Sequence, residues 1–420
     1  MPCNARMIAA AVLVFAAGLP FGFADTPTTA KPAATGSLFR PGDFKSLGKL
    51  VVTSGQTITF DTGSSTTQPS AKGAITGQGS LGISKSGKVQ VAVFAFDEIQ
   101  LAEGAKVEVT GSRGLVLLSR GAAVINTTID VSGQLGAKEP TRGKQADGTL
   151  TNPGGKGGPG GEGGEYQKTF ASDPPPENGG DGGPAMKDNG RPGHGYGAGF
   201  NQRVKGGTGG GGGAYGGTGG DASEGSGNVG KPPHAMPGGK TYGDAPLSDL
   251  FGGSGGAGAS NDRNFSVASG GGGGGALAIV ALGGITFGEK SKALADGGPG
   301  AVNKACGGGG SGGAILLAAP TVVLKPGSVL SARGGDGGDG GPAVAAQIKP
   351  EIRRRDSGSG GGGGGGRIAI YSNANFAAAG KNQTETKVPE GIVVTGGKGG
   401  SMAKDGSNGT FYDGTWPGLR

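Results

Sequence analysis

The segment Gly307–Arg333 reads GGGGSGGAILLAAPTVVLKPGSVLSAR, a run of glycine followed by three short apolar stretches. Turn residues separate the stretches, first Pro320 and then the pair Pro326-Gly327. Each stretch is too short for a stable helix and is rich in the aliphatic and β-branched residues that favour strands. The segment therefore predicts three short strands in succession.

The same order of glycine run, apolar stretch and turn recurs along the chain. Gly270–Asp296 reads GGGGGGALAIVALGGITFGEKSKALAD, and Gly361–Thr395 opens with GGGGGGRIAIYS and ends with GIVVT. An earlier copy, Gly111–Gly133, reads GSRGLVLLSRGAAVINTTIDVSG. Repeats of short strands with no helical pattern between them are typical of solenoids. We therefore predict an all-β protein, a parallel β-helix (β-solenoid) of about five rungs.

The composition is compatible with a strand-rich scaffold. Glycine supplies 102 of the 420 residues, whereas hydrophobic residues make up 33% and aromatic residues 5%. A helical bundle is excluded, because each glycine inside a helix costs about 1 kcal/mol relative to alanine. Full disorder is a poor description, because the apolar residues are concentrated in blocks such as VAVFAF and GGAILLAA.

Glycine-rich insertions with a three-residue period separate the blocks. The triplet GGX fills Gly154–Glu165 and returns in shorter runs, namely GGDGGP, GGTGGD, GGSGGA, GGDGGDGGP and GGKGGS. This period matches polyproline II, which has three residues per turn, although a flexible linker is an alternative interpretation. Each insertion leaves after the third strand of a block and returns before the first strand of the next. We therefore predict that the insertions, with polyproline II or a flexible linker as their conformation, lie on one edge of the solenoid.

The N-terminal residues predict export. Residues 1–24 combine the basic Arg6, an apolar core and the small-x-small sequence Gly22-Phe23-Ala24, which is the pattern of a secretory signal peptide. No later stretch reaches the roughly 20 apolar residues of a spanning helix, so we expect no transmembrane segment in the mature chain. The expected location is secreted, either extracellular or at the cell surface.

The remaining divisions follow from changes in composition. We expect a flexible segment at 25–47, N-terminal rungs at 48–136, a glycine-rich insertion at 137–269, C-terminal rungs with glycine-rich loops at 270–412 and a tail at 413–420. Cys306 is the one cysteine outside the predicted signal peptide, so no intramolecular disulfide is expected. Backbone hydrogen bonds and packing must then hold the fold.

The formal net charge of +7 is a mild excess for a chain of 420 residues. Its densest basic run is Arg353-Arg354-Arg355, which is either a solvated loop or a contact for a polyanion. Aromatic residues do not interleave with basic ones, so we expect no nucleic-acid partner.

Two acidic residues are the best candidates for oxygen ligands of a cation. Asp336 and Asp339 lie in Gly334–Asp339, which fits the GGxGxD part of a calcium-binding nonapeptide. A second copy is Gly216–Asp221, but the pattern needs tandem copies and neither of these is tandem, so Ca²⁺ is an alternative to our expectation of no cofactor. His194 and His234 lie in the large insertion without a third ligand at a zinc-site spacing.

No catalytic motif is present in the sequence. A carbohydrate-active enzyme would need clustered acids, or an acid with a basic residue, on the strand surface. The charged residues in or beside the strands form no diagnostic set: Asp97, Glu98, Arg113, Arg120, Asp130 and Arg367. We therefore assign no catalytic residue.

The blocks GGGGSGGAILLAA and GGGGGGRIAIYS, with their long GGX insertions, resemble the glycine-rich, secreted β-helix proteins of environmental bacteria, which share pectin-lyase-like or PGRS-like features. The resemblance implies an exported surface or matrix protein and implies no catalytic residues. The insertions are also similar to the polyproline II bundles of some antifreeze proteins and phage adhesin tips. Charged residues at X positions argue against ice binding: Lys156, Glu162, Asp181 and Asp336.

These observations predict an exported, non-enzymatic structural or adhesive protein of the cell surface or extracellular matrix that displays glycine-rich loops. The expected partners are polysaccharide or other matrix components, and the sequence leaves the oligomeric state open. A carbohydrate-active β-helix enzyme is the first alternative, and a calcium-dependent assembly protein is the second.

Overall fold

Short strands make up almost all of the regular structure. The computed structural model describes residues 39–136, 157–158, 195–200, 208–223, 236–259, 268–303, 305–339, 358–373, 377–378 and 388–418. All of them belong to one compact unit, 33–420. The described residues contain a single 3-10 turn, Pro41–Asp43, and no helix that could traverse a lipid bilayer. The strands are numbered β1 to β21 in chain order.

The main sheet has seven strands and collects the most apolar stretches. In spatial order its strands are β21 (Thr410–Thr415), β18 (Arg367–Ser372), β15 (Ala314–Ala318), β12 (Ala276–Ala281), β9 (Gly114–Ser119), β6 (Gln90–Phe96) and β5 (Ser80–Ile83). The strands β9, β12 and β15 are buried at every residue. Both faces of this sheet are therefore covered, which explains why its strands are unbroken apolar runs.

Three smaller sheets complete the strand structure. A six-stranded sheet contains β1 (Lys49–Val52), β7 (Glu98–Leu101), β10 (Ala122–Ile125), β13 (Gly284–Phe287), β16 (Val322–Leu324) and β19 (Ala377–Ala378). A four-stranded sheet contains β11 (Thr128–Asp130), β14 (Lys292–Leu294), β17 (Val329–Ser331) and β20 (Ile392–Val393). The last sheet, also of four strands, contains β4 (Gly77–Gln78), β3 (Ser70–Gly73), β2 (Thr57–Asp61) and β8 (Lys106–Thr110).

Equivalent positions of successive sequence blocks are paired in the main sheet. Leu277 of β12 lies opposite Leu115 of β9 and Ile315 of β15, and Ile315 lies opposite Ile368 of β18. All four side chains are fully buried. Both faces are buried, so side-chain size distinguishes them: in β12 the large Leu277 and Ile279 point to the face opposite that of Ala276 and Ala278. Packing of the large side chains in one row across the strands therefore stabilises this register.

The predicted parallel β-helix of about five rungs is wrong. The strands are divided among four separate sheets, some parallel and some mixed, and none of the sheets forms a solenoid. Antiparallel pairs occur between β2 and β3, β3 and β4, and β5 and β6. Each of these pairs includes a strand from residues 70–83, where polar and glycine residues interrupt the apolar pattern. The apolar blocks alone therefore carried no signal for the reversed strands.

The prediction that the glycine-rich insertions lie on one edge of a solenoid is also wrong. Described parts of the large insertion such as 208–215 and 252–259 are buried and pack against other glycine-rich segments. The glycine runs that open the blocks also extend the pairing of the main-sheet strands: the N–H of Ala314 donates to Gly275 O (3.0 Å), and the N–H of Arg367 donates to Gly313 O (2.9 Å). Glycine has no side chain to hold chains apart, so these segments form part of the interior.

Two apolar clusters cover the faces of the main sheet. One lies between the sheets and includes Phe60 and Phe94, whose ring centroids are 5.0 Å apart. The other lies on the opposite face and includes Tyr215, Phe251 and Trp416. Residues 236–251 and the 3-10 turn region thereby protect the second face from solvent.

Candidate functional site

Glycine-rich segments, each of which we call a chain of the bundle, pack together next to the first residues of the main-sheet strands. Segment 270–275 leads into β12, segment 307–313 into β15 and segment 361–366 into β18. We call the whole set the glycine bundle; its chains are 208–223, 252–259, 268–275, 295–301, 305–313, 332–339, 358–366, 394–400 and 404–409.

The central chain, 305–313, shows how the bundle is held together. It donates backbone hydrogen bonds to three neighbouring chains and accepts them from three others. Every third N–H points to the same neighbour; along one side the bonds run from Gly307 to Ala301 (3.0 Å), Gly310 to Gly298 (2.9 Å) and Gly313 to Ala295 (2.7 Å). This spacing equals the three residues per turn of polyproline II. Buried backbone groups are thus paired without a helix or a sheet.

The close approach of these chains requires glycine. An ideal Cβ placed on Gly310 would lie 2.5 Å from the carbonyl carbon of Gly272 and closer still to its oxygen. At Gly363 a Cβ would meet the carbonyl group of Gly310 in the same way. In the central segment 361–366 a Cβ would meet a neighbouring backbone at all three triplet positions, whereas in the outer segment 332–339 two of the three positions face neighbours and the third carries a side chain.

Side chains at the third position form an exposed grid on three adjacent chains. The chains are joined by bonds from Gly297 N to Arg333 O (2.8 Å) and from Gly334 N to Thr395 O (2.9 Å). We call this grid the X face, and its residues are Asp296, Pro299 and Val302 on the first chain, Arg333, Asp336 and Asp339 on the second, and Thr395, Lys398 and Ser401 on the third. All are exposed or half-buried. Successive side chains on one chain are about 9 Å apart if the chain has polyproline II rise.

Aspartates of the X face accept hydrogen bonds from the backbone of the next chain. The bonds run from Arg333 N to Asp296 (2.7 Å), from Lys398 N to Asp336 (2.8 Å) and from Ser401 N to Asp339 (3.1 Å). The N–H of an X residue points outward and would otherwise face solvent. Each aspartate therefore joins two chains and is held in position on the surface.

Ion pairs fix the long side chains of the X face. Arg333 contacts Asp336 at 2.6 Å, and Lys398 contacts Asp405 on a neighbouring chain at 2.7 Å. The hydrogen bond to Asp405 raises the pKa of Lys398, and the same bond lowers the pKa of Asp405. Both groups stay charged across the physiological range. The X face therefore presents fixed charges of both signs.

The structure brings together only some of the site residues expected from the sequence. Asp336 and Asp339 lie on the X face, where their carboxylates bond to residues 398–401. Arg353, Arg354 and Arg355 lie outside the described residues, as do the two histidines. Among the described residues no group of three His, Cys, Asp or Glu side chains is arranged to hold a metal ion. Calcium binding stays a prediction that none of these contacts tests.

Sequence inspection missed Lys398 and Asp405. Lys398 stands at the X position of GGKGGS, so the triplet period marks it as outward-facing. Its pairing with Asp405 could not be deduced, because Asp405 lies on a chain that runs back beside the triplet.

The charged residues near the strands do not form one cluster of contacts. Glu98 pairs with Lys49 (3.1 Å), and Asp97 pairs with Arg120 (3.6 Å). The Arg113 guanidinium donates to the carbonyl of Thr67 (3.0 Å) in a loop. These contacts tie neighbouring segments together.

Asp130 and Asp296 are two acids at the end of the β11–β14 pair. Burial raises the pKa of Asp296 and the nearby Asp130 adds to the effect, against hydrogen bonds from the Ser331 hydroxyl and the Arg333 N–H. Asp130 itself accepts a bond from Ser132 N (2.9 Å). Both carboxylates are thus used in backbone or side-chain bonds within the protein.

A buried arginine anchors residues 236–251 to the main sheet. The guanidinium of Arg367 donates to Tyr242 O (2.7 Å) and to the Thr410 hydroxyl (3.0 Å), and it lies 5.3 Å from the ring centre of Tyr215. The Tyr215 hydroxyl is buried without a hydrogen-bond partner. Tyr371 completes the anchor by donating to Pro246 O (2.6 Å).

Cys306 is a buried free thiol inside the glycine bundle. It donates to Asn303 O (3.0 Å), and burial raises the pKa of its thiol to about 11. The thiolate that reacts or binds metals is therefore scarce at neutral pH.

Comparison of the chain with family models, with curated proteins and with solved structures found no match.

Proposed function

We propose that the protein is exported and acts as a non-enzymatic structural or adhesive component of the cell surface or extracellular matrix. The observation that supports this best is the X face, where charged and polar side chains stand at regular intervals on a hydrogen-bonded support. Bonds to the backbone and ion pairs already hold several of these side chains in place. Binding then costs little further side-chain entropy, which favours attachment to a repetitive partner such as a polysaccharide.

Export is supported by the sequence of residues 1–24, which has the pattern of a secretory signal peptide. The glycine bundle is compatible with export. The glycine bundle is held by backbone hydrogen bonds, and its one cysteine is a buried free thiol. Such a bundle keeps its bonds in either an oxidising or a reducing compartment.

A polysaccharide array tests the adhesive role directly. The mature protein is expected to bind a subset of matrix polysaccharides and to release no reducing ends from them. The double variant Lys398→Ala/Arg333→Ala should weaken this binding about tenfold, because it removes two fixed cations from the X face.

The matched control is Lys49→Ala/Arg120→Ala, which removes two exposed cations from ion pairs on the strand surface. If both double variants lose polysaccharide binding equally, the loss reflects the change in net charge and not a site on the X face. Absence of binding to every polysaccharide, or turnover of one of them, would contradict the proposal. Cell fractionation that leaves the protein in the cytoplasm would contradict export.

A further inference from the structure

A polar cleft lies on the glycine bundle beside the X face. It has a volume of about 320 Å³ and lies between residues 218–221, 238–240 and 404–405. This is at the small end of the range of ligand sites, roughly 300–1,000 Å³. The cleft is therefore large enough for one small residue of a polymer.

The lining of the cleft excludes an apolar ligand. Apart from four glycines, it consists of Thr218, Asp221, Lys240, Lys404 and Asp405. No aliphatic or aromatic side chain contributes to it. A ligand that fits must make hydrogen bonds or ionic contacts on most sides.

Three of the four charged lining residues already have partners. Lys404 pairs with Asp221 at 2.8 Å, and Asp405 pairs with Lys398 at 2.7 Å. Burial by itself would raise the pKa of Asp221, but the bonds from Lys404 and from Gly238 N outweigh it and the pKa is lowered. Both aspartates therefore stay ionised and paired.

Lys240 is the exception. Its side chain is exposed, and among the described residues it has no ion pair or side-chain hydrogen bond. The uncompensated charge of the cleft is then the single positive charge of Lys240. An anionic group on a polar ligand would satisfy it.

Hydroxyl groups of a ligand also have partners in the cleft. The Thr218 hydroxyl shares a hydrogen bond of 2.9 Å with the Ser407 hydroxyl. Asp221 and Asp405 each accept two hydrogen bonds within the protein, so each carboxylate keeps about two of its roughly four acceptor positions for a ligand. Carboxylates and hydroxyls at the rim are suited to bind sugar hydroxyls.

We propose that this cleft binds one carboxylated sugar residue of an acidic polysaccharide, with the carboxylate on Lys240 and the ring hydroxyls on Thr218, Asp221 and Asp405. This inference rests on the proposed adhesive function and names the ligand class. The X face would contact the same polymer beyond the cleft.

A matched pair of oligosaccharides tests the proposal. Cellohexaose is neutral, and its C6-oxidised form carries a carboxylate on every ring with the same backbone. Titration calorimetry on the mature protein should show about tenfold tighter binding of the oxidised hexamer, the effect of one charge-assisted hydrogen bond. Lys240→Glu should abolish that preference, and Lys240→Arg should keep it.

Lys325→Glu is the control, because Lys325 is also exposed, follows β16 and does not line the cleft. If Lys325→Glu and Lys240→Glu weaken binding of the oxidised hexamer equally, net charge explains the attraction and the proposed binding in the cleft is wrong. Wild-type affinity in Lys240→Glu, or equal affinity for the two hexamers, would also overturn it. The proposal would also be wrong if dextran sulfate competes for binding to the protein as effectively as the oxidised hexamer does.

The two proposals fail in different ways. If neither hexamer binds but other polysaccharides bind through the X face, the cleft proposal is wrong and the adhesive function stands. If no polysaccharide binds on the array, the adhesive function is wrong, and the cleft proposal is wrong as well.

Discussion

Replacing Gly310 by alanine should destabilise the protein strongly, although it adds one methyl group. The new Cβ would lie 2.5 Å from the carbonyl carbon of Gly272, whereas a favourable carbon–carbon distance is roughly 3.5–4.0 Å. The chains 268–275 and 305–313 must therefore move apart by about 1 Å. Two bonds flank the contact, Gly271 N to Gly308 O and Gly274 N to Ser311 O, both 2.9 Å long. A stretch of that size exceeds the range of a hydrogen bond.

The expected loss combines overpacking with these two bonds. Overpacking a filled interior costs about 1–3 kcal/mol, and each of the two lost bonds costs about 1–3 kcal/mol more. We expect Gly310→Ala to lower the free energy of unfolding by about 3–9 kcal/mol. The fluorescence of Trp416, the single tryptophan and a buried one, reports unfolding in urea.

Two variants serve as controls for the glycine bundle. A Cβ on Gly42 meets no atom within 4 Å, and Thr395 is an outward X residue of the bundle itself. Gly42→Ala and Thr395→Ala should each stay within about 0.5 kcal/mol of the wild type. If Gly310→Ala does the same, close chain packing does not set the stability of the bundle.

Three further predictions concern buried polar groups. Tyr215→Phe removes a buried hydroxyl that has no partner, so it should leave stability unchanged or raise it by up to about 1 kcal/mol; a clear loss in the urea midpoint would contradict this. Arg367→Met should cost about 2–4 kcal/mol, because the carbonyl of Tyr242 and its neighbours lose a charged donor, and limited proteolysis should then cleave within 236–251. Because the pKa of Asp296 is raised mainly by burial, ionising it costs the folded state stability as pH rises above its ordinary value of 3.8. Asp296→Asn should therefore gain stability relative to the wild type as the pH goes from 3 to 7, and urea midpoints with an unchanged difference across that range would refute the assignment.

The positions of most strands could be predicted from the sequence, because apolar stretches between glycine and proline leave few alternatives. AILLA and ALAIVA are strands of the main sheet and are buried on both faces. The reversed strands β3 and β5 were not predictable in the same way. Their sequences, SAKG and SLGI, have weak apolar patterns, and their pairing is set by contacts with β2 and β6.

The candidate site was partly predictable for a related reason. The GGX period identifies Asp336, Asp339 and Lys398 as residues at equivalent positions, whatever the arrangement of the chains. It does not show that Asp336 accepts a bond from Lys398 N, since these residues are 62 positions apart. Lys240 and Asp221 likewise lie in different segments, and nothing in their local sequence places them in one cleft.

The amino-acid sequence is enough to locate the apolar strands, such as β12 and β15, and to tell which position of a GGX triplet carries a side chain. These properties depend on steric limits within a few residues, so they do not depend on the tertiary structure. Tertiary structure alone decided that the strands form four separate sheets and that the glycine chains pack together in the interior. Backbone N–H and C=O groups are identical at every glycine, so only the three-dimensional arrangement can select which chains they join.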